Sequence, residues 1–498
     1  MKKVKPLIAL LLTTVMLALT FGLAACDSSN GDSGAEVVAE ITGELSDVTL
    51  DFRWIGDSQP DTARISAAIS DYLASIGRPY SIDIHVYEWG EWWDGTVNLA
   101  LATGETIDLI FMASWAGDVL GQASMGTLRP LNDFLDNFPE IEEILTADFM
   151  NASQVGGRNY ALPVNKEKAR QFGWLLRTDI VEALGMDLDS IRSVDDLEPY
   201  LYRAAEEFDM WQMAVGNQLD HQFDIVVDDF ALGTEPGSRE IFFAPLSDIA
   251  RANVHRISRW MADGIMNPNM TLEATFASEM LAGRTWAATS QLKPGVAAER
   301  MGGLGGIHLT ALNMNEPEIA NTETTGAMVA IPTASRNPEE AFDFIRLMYT
   351  DANLVNMFVF GEEGIDFEYI DQANGIIRLI DSGWDFGSMG WTFGNQFLNY
   401  LTEDEDPDKW EQFIAFNESA RSLPSLGFVA DRTDTDLETW LANVTATMER
   451  FEDLIRGFVP PDQVDATFDR LYNEVVAAGK YEILEELQRQ FDEWLETR

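Results

Sequence analysis

The alternation of apolar and polar residues at the start of the globular part of the chain predicts an α/β sheet. Residues 48–55 alternate and are rich in β-forming side chains, and residues 80–87 and 107–112 have the same character. Residues 62–76 carry apolar side chains at helical spacing, and a second helix is predicted over residues 98–103. Strands that alternate with helices in this way are typical of parallel strands joined by helical crossovers, with helices on both faces of the sheet.

Further elements follow at intervals along the chain. Ser193 and Asp196 have the spacing of a capping box at the start of a helix over residues 193–207. The region from residue 437 to the C-terminus is almost entirely helical in pattern, and its last helix has one apolar face. Other predicted elements are helices that begin near residues 131 and 337, and short strands near residues 157–164, 283–289 and 326–332.

Two loops stand at the predicted carboxyl ends of the first and third strands. Asp57 and Ser58 follow the first strand, and Ser114 and Trp115 follow the third. An open α/β sheet binds its ligand at this edge, so these four residues are candidate ligand contacts. Trp115 stands among small residues just past the strand end, which favours a site residue over a core aromatic.

Cys26 is the only cysteine in 498 residues and directly follows a hydrophobic N-terminal run. Three lysines begin the chain, residues 7–23 are mostly apolar, and two alanines precede the cysteine, which is the layout of a secretory signal. A lone thiol in an exported protein has no disulfide partner, so acylation of Cys26 explains its presence. A plain transmembrane anchor is disfavoured because the run is short. We predict a signal peptide over residues 1–25 and a polar, flexible tether over residues 26–45.

Composition and charge narrow the function further. The formal net charge is −50, and removal of a signal that carries three lysines and no acid takes it to −53. The electric field of so many negative charges repels phosphate groups. We therefore expect the protein neither to bind nucleic acid nor to contact membranes through a polybasic surface. A hydrophobic content of 46% is typical of a globular protein. About 450 residues exceed what one core usually holds, so two lobes are predicted.

These landmarks, in this order, resemble the extracellular solute-binding lipoproteins of bacterial ABC importers, with most similarity to the LipO-like branch. The branch carries an extra C-terminal domain of uncharacterised function. The resemblance spans nearly the whole chain, and besides Cys26 it rests on residues 99–109, 129–133, 157–163, 177–179, 335–341, 361–364, 394–396, 426–428, 477–481 and 488–494.

The resemblance implies a two-lobe periplasmic-binding-protein-like fold with a hinge, ligand in the cleft, and a mostly helical C-terminal extension. On this chain it places lobe 1 at residues 46–162 and 288–331, and lobe 2 at residues 163–287 and 332–498, with the family-specific domain at about 384–498. Crossings are expected near residues 161–166, 286–290 and 331–335. The implied partners are an ABC permease and the membrane, reached through the lipid anchor on the extracytoplasmic face. A monomer is expected.

Catalysis finds little support in the residues. The four histidines, His85, His221, His255 and His308, lie far apart and have no metal-ligand spacing. Residues 302–306 are rich in glycine but lack the lysine and serine of a phosphate loop, and the acidic residues 431–436 lack the glycine and glutamate of a calcium loop. We therefore predict no enzyme activity, no cofactor and no metal.

Tryptophan is the unusual residue type, with 14 in the chain. Aromatic rings stack on the apolar faces of sugars while polar side chains bind the hydroxyls, so a neutral oligosaccharide is the predicted ligand. Trp89 is expected in the core, and Trp92 and Trp93 stay unassigned. An oligopeptide or other small solute is one alternative ligand, and a secreted carbohydrate-active enzyme is the alternative of another class. Further candidate ligand contacts are Trp286, Trp384, Trp391 and Asn395.

Overall fold

The computed structural model describes residues 45–497 apart from 94, 214–218, 220–221, 234–237, 268–275, 302–303 and 433–434. The predicted signal peptide, Cys26 and the tether up to residue 44 lie outside the described residues. Within the described part of the chain, no helix combines the length and apolarity needed to cross a membrane.

The strands, in chain order, are β1 (Thr49–Ile55), β2 (Ser81–Tyr87), β3 (Leu109–Met112), β4 (Ala161–Pro163), β5 (Gln171–Arg177), β6 (Trp211–Met213), β7 (Asp224–Val227), β8 (Phe230–Leu232), β9 (Ile241–Phe243), β10 (Thr285–Leu292), β11 (Leu309–Asn313), β12 (Glu318–Ile319), β13 (Met328–Ala330), β14 (Phe367–Asp371), β15 (Ile376–Leu379), β16 (Leu401–Thr402) and β17 (Arg421–Ser422). The α-helices are α1 (Thr62–Ser75), α2 (Trp89–Trp93), α3 (Thr96–Thr103), α4 (Val119–Ser124), α5 (Asn132–Leu135), α6 (Pro139–Leu145), α7 (Ala147–Ala152), α8 (Thr178–Leu184), α9 (Val194–Phe208), α10 (Asp248–Ala262), α11 (Phe276–Leu281), α12 (Val296–Met301), α13 (Asn321–Thr324), α14 (Pro338–Thr350), α15 (Ala352–Phe360), α16 (Lys409–Ser419), α17 (Thr435–Arg450), α18 (Glu452–Ile455), α19 (Val464–Ala477) and α20 (Lys480–Thr497).

The first sheet has the strand order β2-β1-β3-β13-β4. Strands β1, β2 and β3 are parallel, as the sequence pattern predicts, and β13 is antiparallel to both β3 and β4. Leu50, Phe52 and Trp54 of β1 are buried, and α1 packs against β2 with its apolar stripe of Ile65, Ile69 and Leu73 in the same core. The sheet and its helices share one hydrophobic core.

The second sheet has the order β11-β5-β10-β6 and lies against α8 and α9. Strands β5 and β10 are the two inner strands of this sheet, because β5 pairs with β10 and β11, and β10 also pairs with β6. The capping box predicted for α9 is present: the Ser193 side chain accepts from the Asp196 backbone, and the Asp196 side chain accepts from the Ser193 backbone.

The lobe boundaries differ from those that the sequence predicts. Strands β10 and β11 lie in the second sheet, so the assignment of residues 288–331 to the first lobe holds only for the end of that segment, at β13. Helices α14 and α15 pack into the core of the first sheet and not into the second lobe. The cause is that strand order in a sheet is set by long-range pairing, which the local apolar pattern does not encode.

Three segments pass between the parts of the chain that carry the two sheets. Residues 164–170 link β4 to β5, residues 314–327 link β11 to β13, and residues 403–408 lead from β16 into α16. Of the three expected crossings, residues 161–166 comprise β4 and the start of the segment that leads to β5, residues 286–290 belong to strand β10, and residues 331–335 join β13 to α14 within the first core.

A chain of alternating charges joins two of these crossings to the second lobe. We call it the ion-pair chain, and in order it comprises Lys166, Glu167, Lys293, Glu299, Lys409 and Glu405. The exposed fractions of its six side chains lie between 6% and 26%, so solvent screens the pairs poorly. Three positive and three negative groups balance each other.

The C-terminal helices share a hydrophobic core with β8 and β9. Phe230 and Phe243 from these strands pack in one cluster with Leu441, Phe468 and Phe491 from α17, α19 and α20. The mostly helical character that the sequence predicts for this region is therefore present, and the helices are built onto the second lobe through a common core.

Candidate functional site

The loops that follow β1, β2 and β3 meet at one edge of the first sheet. Because the three strands are parallel and Ile55 lies opposite Tyr87, their carboxyl ends lie side by side. Asp57 and Ser58 follow β1 and are exposed, and Ser114 and Trp115 follow β3. The structure thus brings together the four candidates that the sequence places at strand ends.

Three tryptophans form a cluster at this edge. In this tryptophan cluster, Trp115 stacks on Trp89 with ring centroids 6.1 Å apart and an angle of 26°, and it lies at 6.1 Å and 40° from Trp391. Trp89 and Trp391 are half-buried, and Trp115 is 37% exposed. An apolar surface of this kind at a strand-end edge is suited to contact with the apolar face of a ligand.

The Trp115 ring is held by the segment that crosses to the second lobe. Its indole Nε1 donates to the Gly326 carbonyl at 2.6 Å, and the Ser114 backbone N–H donates to the Thr325 carbonyl at 2.9 Å. Gly117, two residues on, has φ +79°, and a Cβ there would lie 3.0 Å from both Trp92 and Met112. The loop that carries Trp115 therefore requires glycine at this position.

Polar groups beside the cluster are tied together by Gln59. The Gln59 Nε2 donates to the carbonyls of Asp57 and Asp385, each at 3.3 Å, and the Asp385 backbone N–H donates to Gln59 Oε1 at 2.9 Å. Both aspartates are exposed. Carboxylates accept hydrogen bonds only, so this edge of the sheet is suited to ligand hydroxyls and unsuited to anionic groups.

Charges from the other lobe act on the same loop. Asp228 lies in the turn between β7 and β8, and burial raises the pKa of its carboxyl. The negative Asp118 raises this pKa further, whereas Arg432 of the C-terminal region lowers it. Burial and the neighbouring Asp228 raise the pKa of Asp229 to about 6. Asp118 is three residues from Trp115 and caps α4 in a left-handed conformation with φ 52°. The loop of the tryptophan cluster thus lies within the electrostatic reach of the β7–β8 turn and of the C-terminal region.

Three predicted ligand contacts are instead buried. Trp286 is a core residue of β10 with no exposed surface, and Trp384 is 3% exposed with its Nε1 bonded to the Phe358 carbonyl. Asn395 is 7% exposed, accepts from Asn165 Nδ2 at 2.8 Å and donates to the Tyr349 carbonyl. The predictions of these three as ligand contacts are wrong, because residue type alone does not distinguish a cleft tryptophan from a core one.

The site also contains residues that the sequence did not single out. Trp89, which the sequence predicts as a core residue, packs half-buried against the first core and also stacks on Trp115, while Gln59 and Asp385 tie two loops together. The position of Trp89 in the sequence could have indicated that it belongs to the site. Trp89 comes two residues after the end of β2, at the same edge of the sheet as the other candidates.

Comparison with known proteins agrees with this architecture. The chain is 23% identical, over 97% of its length and 97% of the relative, to a carbohydrate ABC transporter substrate-binding protein of Streptococcus pneumoniae serotype 4. The crystal structure of the N-glycan transport solute binding protein NgtS from Streptococcus pneumoniae superposes with a TM-score of 0.78 at 21% identity, covering 90% of this chain and 99% of NgtS. NgtS in complex with Man5GlcNAc gives a TM-score of 0.74 at 20% identity, covering 90% of this chain and 99% of that one.

A family model described as a domain of unknown function (DUF3502) matches residues 424–496, which contain α17 to α20 almost completely. The remainder of the chain supplies the two sheets and the tryptophan cluster. The chain is therefore similar along almost its entire length to a carbohydrate ABC transporter substrate-binding protein, and it shares the two-lobe fold of NgtS.

Proposed function

We propose that this protein captures a neutral oligosaccharide at the tryptophan cluster, between its two lobes, and delivers it to an ABC transporter permease. The observation that carries the proposal is the part-exposed Trp115, stacked on Trp89 and bonded through Nε1 to the segment that crosses to the second lobe. Its exposed surface is available to a sugar face, while its N–H is already satisfied by the protein. A ligand at this position also touches the crossing segment.

The structural neighbours support a carbohydrate as the ligand class. NgtS has been crystallised with Man5GlcNAc and with Man1GlcNAc, and both complexes share the fold of this chain. An oligopeptide is a weaker candidate, because a free peptide needs charged groups that bind its two termini. The exposed charged residues Asp57 and Glu88 follow β1 and β2 at this edge of the first sheet, and the exposed Asp385 is hydrogen-bonded to Gln59 beside them; all three are negative.

The charge around the site favours a neutral sugar over an acidic one. Asp57 and Asp385 lie around Gln59 at this edge, and Asp118 and Asp228 interact with each other electrostatically, with Arg432 as a cation that acts on Asp228. A uronate or sialate brought to this edge meets several like charges, and the whole chain adds a net charge of −50. Neutral glycans lack this penalty.

Binding without turnover is the expected mode of action. The curated relative is a substrate-binding protein, a class without catalytic activity, and the neighbouring crystal structures are solute-binding proteins. A carbohydrate-active enzyme would release product from a bound glycan, whereas a solute-binding protein returns its ligand unchanged. Mass analysis of the glycan after incubation distinguishes the two.

The location follows from the N-terminal sequence and from the class of relative. We propose that Cys26 becomes the lipid-modified first residue of the mature protein, and that the tether of residues 26–45 connects the lobes to the outer face of the cell membrane. Each chain carries its own tether, and delivery of a ligand to an importer needs no second copy of the protein. We therefore propose that the protein is a monomer.

The proposal is tested by calorimetry with a matched pair of ligand panels. One panel holds neutral oligosaccharides, including Man5GlcNAc, and the other holds oligouronates and sialylated glycans of similar length. We expect at least one neutral glycan to bind and to raise the melting temperature, with the acidic panel about tenfold weaker or worse. Binding of acidic glycans alone, or of no member of the neutral panel, contradicts the proposal.

A further inference from the structure

The C-terminal domain of unknown function contacts the same crossing segment that holds Trp115. Its entry strand β17 pairs with β12 of that segment, and the Leu423 backbone N–H donates to the Ile319 carbonyl at 2.9 Å. The contact continues into residues 425–428, at the start of the C-terminal domain, which begins at residue 424. Main-chain pairing of this kind fixes the two segments to each other over several residues.

Asn321, the first residue of α13, provides the next contact. Its Nδ2 donates to the carbonyls of Ser425 and Phe428 at 3.0 and 2.9 Å, and the Gly427 backbone N–H donates to its Oδ1 at 2.8 Å. One side-chain amide thus holds a four-residue loop of the C-terminal domain through both its donor and its acceptor atoms. In α13 itself, Asn321 is the residue that makes these contacts to the C-terminal domain.

The same short helix also contacts both lobes. Thr324 Oγ1 donates to the Ala152 carbonyl of α7 at 3.2 Å, and Gln291 Nε2 at the end of β10 donates to Glu323 Oε1 at 3.0 Å. Two residues after α13, the Gly326 carbonyl accepts from Trp115 Nε1. Residues 321–326 are therefore the place where the first lobe, the second lobe, the C-terminal domain and the tryptophan cluster meet.

A second observation links the C-terminal domain to the ligand site. Arg432, which precedes α17, lies in the field of Asp118 and Asp228, and its side chain is held by a salt bridge to Glu438. Asp118 belongs to the loop that carries Trp115. The C-terminal domain thus acts on that loop by charge as well as through α13.

We propose that the C-terminal domain helps to form the ligand site. Asn321 is the positioning residue through which this domain holds α13 in place, and α13 in turn positions Trp115. The inference rests on the proposed function, because it names how that site is held and what its occupancy changes. Ligand binding at the tryptophan cluster is transmitted through residues 321–326 to the loop of residues 425–428. Closure of the lobes therefore changes the loop of residues 425–428 on the surface of the C-terminal domain.

The test uses the full-length mature protein and three variants. Asn321→Ala removes all three hydrogen bonds, and Asn321→Asp keeps an acceptor for the Gly427 N–H while losing the two donated bonds. The control is Asn473→Ala, because Asn473 is exposed on α19 and its Nδ2 bonds only to the Asp469 carbonyl in the same helix. The conservative variant keeps the test decisive if the alanine variant folds poorly.

Two readouts are combined: the indole N–H resonance of Trp115 and the hydrogen exchange of amides 425–428, each with and without Man5GlcNAc. In the parent protein the glycan is expected to slow exchange of the Gly427 amide. Asn321→Ala is expected to shift the Trp115 resonance in the unliganded protein, to abolish the effect of the glycan on Gly427, and to weaken glycan affinity about fivefold, the effect of one lost hydrogen bond. Asn321→Asp is expected to lie between the two, and Asn473→Ala to match the parent.

The outcomes separate this inference from the proposed function. If Asn321→Ala accelerates Gly427 exchange but leaves the Trp115 resonance and the glycan affinity unchanged, Asn321 has a structural role only and the inference is overturned. If the parent protein binds no glycan, the proposed function fails, and the Trp115 resonance of unliganded Asn321→Ala still decides whether the C-terminal domain positions the tryptophan.

Discussion

Neutralising the centre of the ion-pair chain is expected to destabilise the protein strongly at neutral pH. Glu167 lies 2.9 Å from the Lys166 Nζ and 3.4 Å from the Lys293 Nζ. Glu167→Gln keeps the shape of the side chain but leaves two poorly solvated ammonium groups without their shared partner. Removal of one member of a buried pair usually costs about 3 to 5 kcal/mol, because the remaining charge stays desolvated.

The pKa of Glu167 gives an independent magnitude. Burial alone would raise this pKa, but Lys166 and Lys293 outweigh burial and lower it from 4.5 to about 2. A lowering of this size corresponds to about 3 kcal/mol of stabilisation of the folded state above the ordinary pKa. Because the folded-state pKa is the depressed one, the stabilisation is complete above about pH 5 and is lost as the pH falls towards 2.

The assay is denaturant unfolding of the parent protein and of Glu167→Gln at pH 7 and at about pH 3.5. We expect a difference of about 3 kcal/mol at pH 7, and a difference smaller by about 1.4 kcal/mol at the lower pH, because the parent has by then lost that part of its stabilisation. Glu474→Gln is the control, since Glu474 pairs with Arg450 on the surface with 44% and 56% of the side chains exposed. Its effect should stay below about 1 kcal/mol. Equal effects of the two substitutions at pH 7, or a Glu167→Gln effect that does not shrink in acid, would refute the reasoning.

Three further predictions concern the anchor, the closure and the loop of Trp115. Cys26→Ser should leave a folded protein that no longer sediments with membranes, because acylation supplies the proposed anchor; retention in detergent-free buffer contradicts this. Saturating neutral glycan should lower the radius of gyration in small-angle scattering, since only a closed form lets both lobes contact the ligand, and an unchanged radius argues against closure. Gly117→Val should weaken glycan binding through a strained φ of +79° and contact with Trp92, whereas Gly126→Val, with φ +74° in open space, should strain the backbone without changing affinity.

The first sheet was predictable because its information is local. Predicted strands over residues 48–55 and 80–87 and the helix over 62–76 agree with β1, β2 and α1 to within one residue or so. Alternation and helical spacing are properties of neighbouring residues, and a parallel sheet follows from their order. The order of the parallel strands also predicts that the loops carrying Asp57 and Trp115 lie at one edge of the sheet, and the structure places both loops there.

The second lobe and part of the site were not predictable by the same route. The alternating pattern of residues 283–289 identifies a strand but does not say which sheet it joins, so Trp286 was placed in the cleft although β10 pairs with β5. Trp89 lies in a five-residue helix, too short to display a period. Its stacking on Trp115 depends on the pairing of β1 with β2 and β3, which is a long-range contact.

The central claim is that a sugar binds on the exposed surface of Trp115, and calorimetry of Trp115→Ala with a neutral glycan tests it most directly. Trp440→Ala is the matched control, because Trp440 is a half-buried tryptophan of α17 that packs in the core of the C-terminal helices. The account predicts that Trp115→Ala weakens glycan binding by about 1 to 3 kcal/mol, tenfold or more in Kd, while Trp440→Ala leaves affinity unchanged and lowers stability. Parent-like affinity in Trp115→Ala, with a folded and ligand-competent protein, would contradict it.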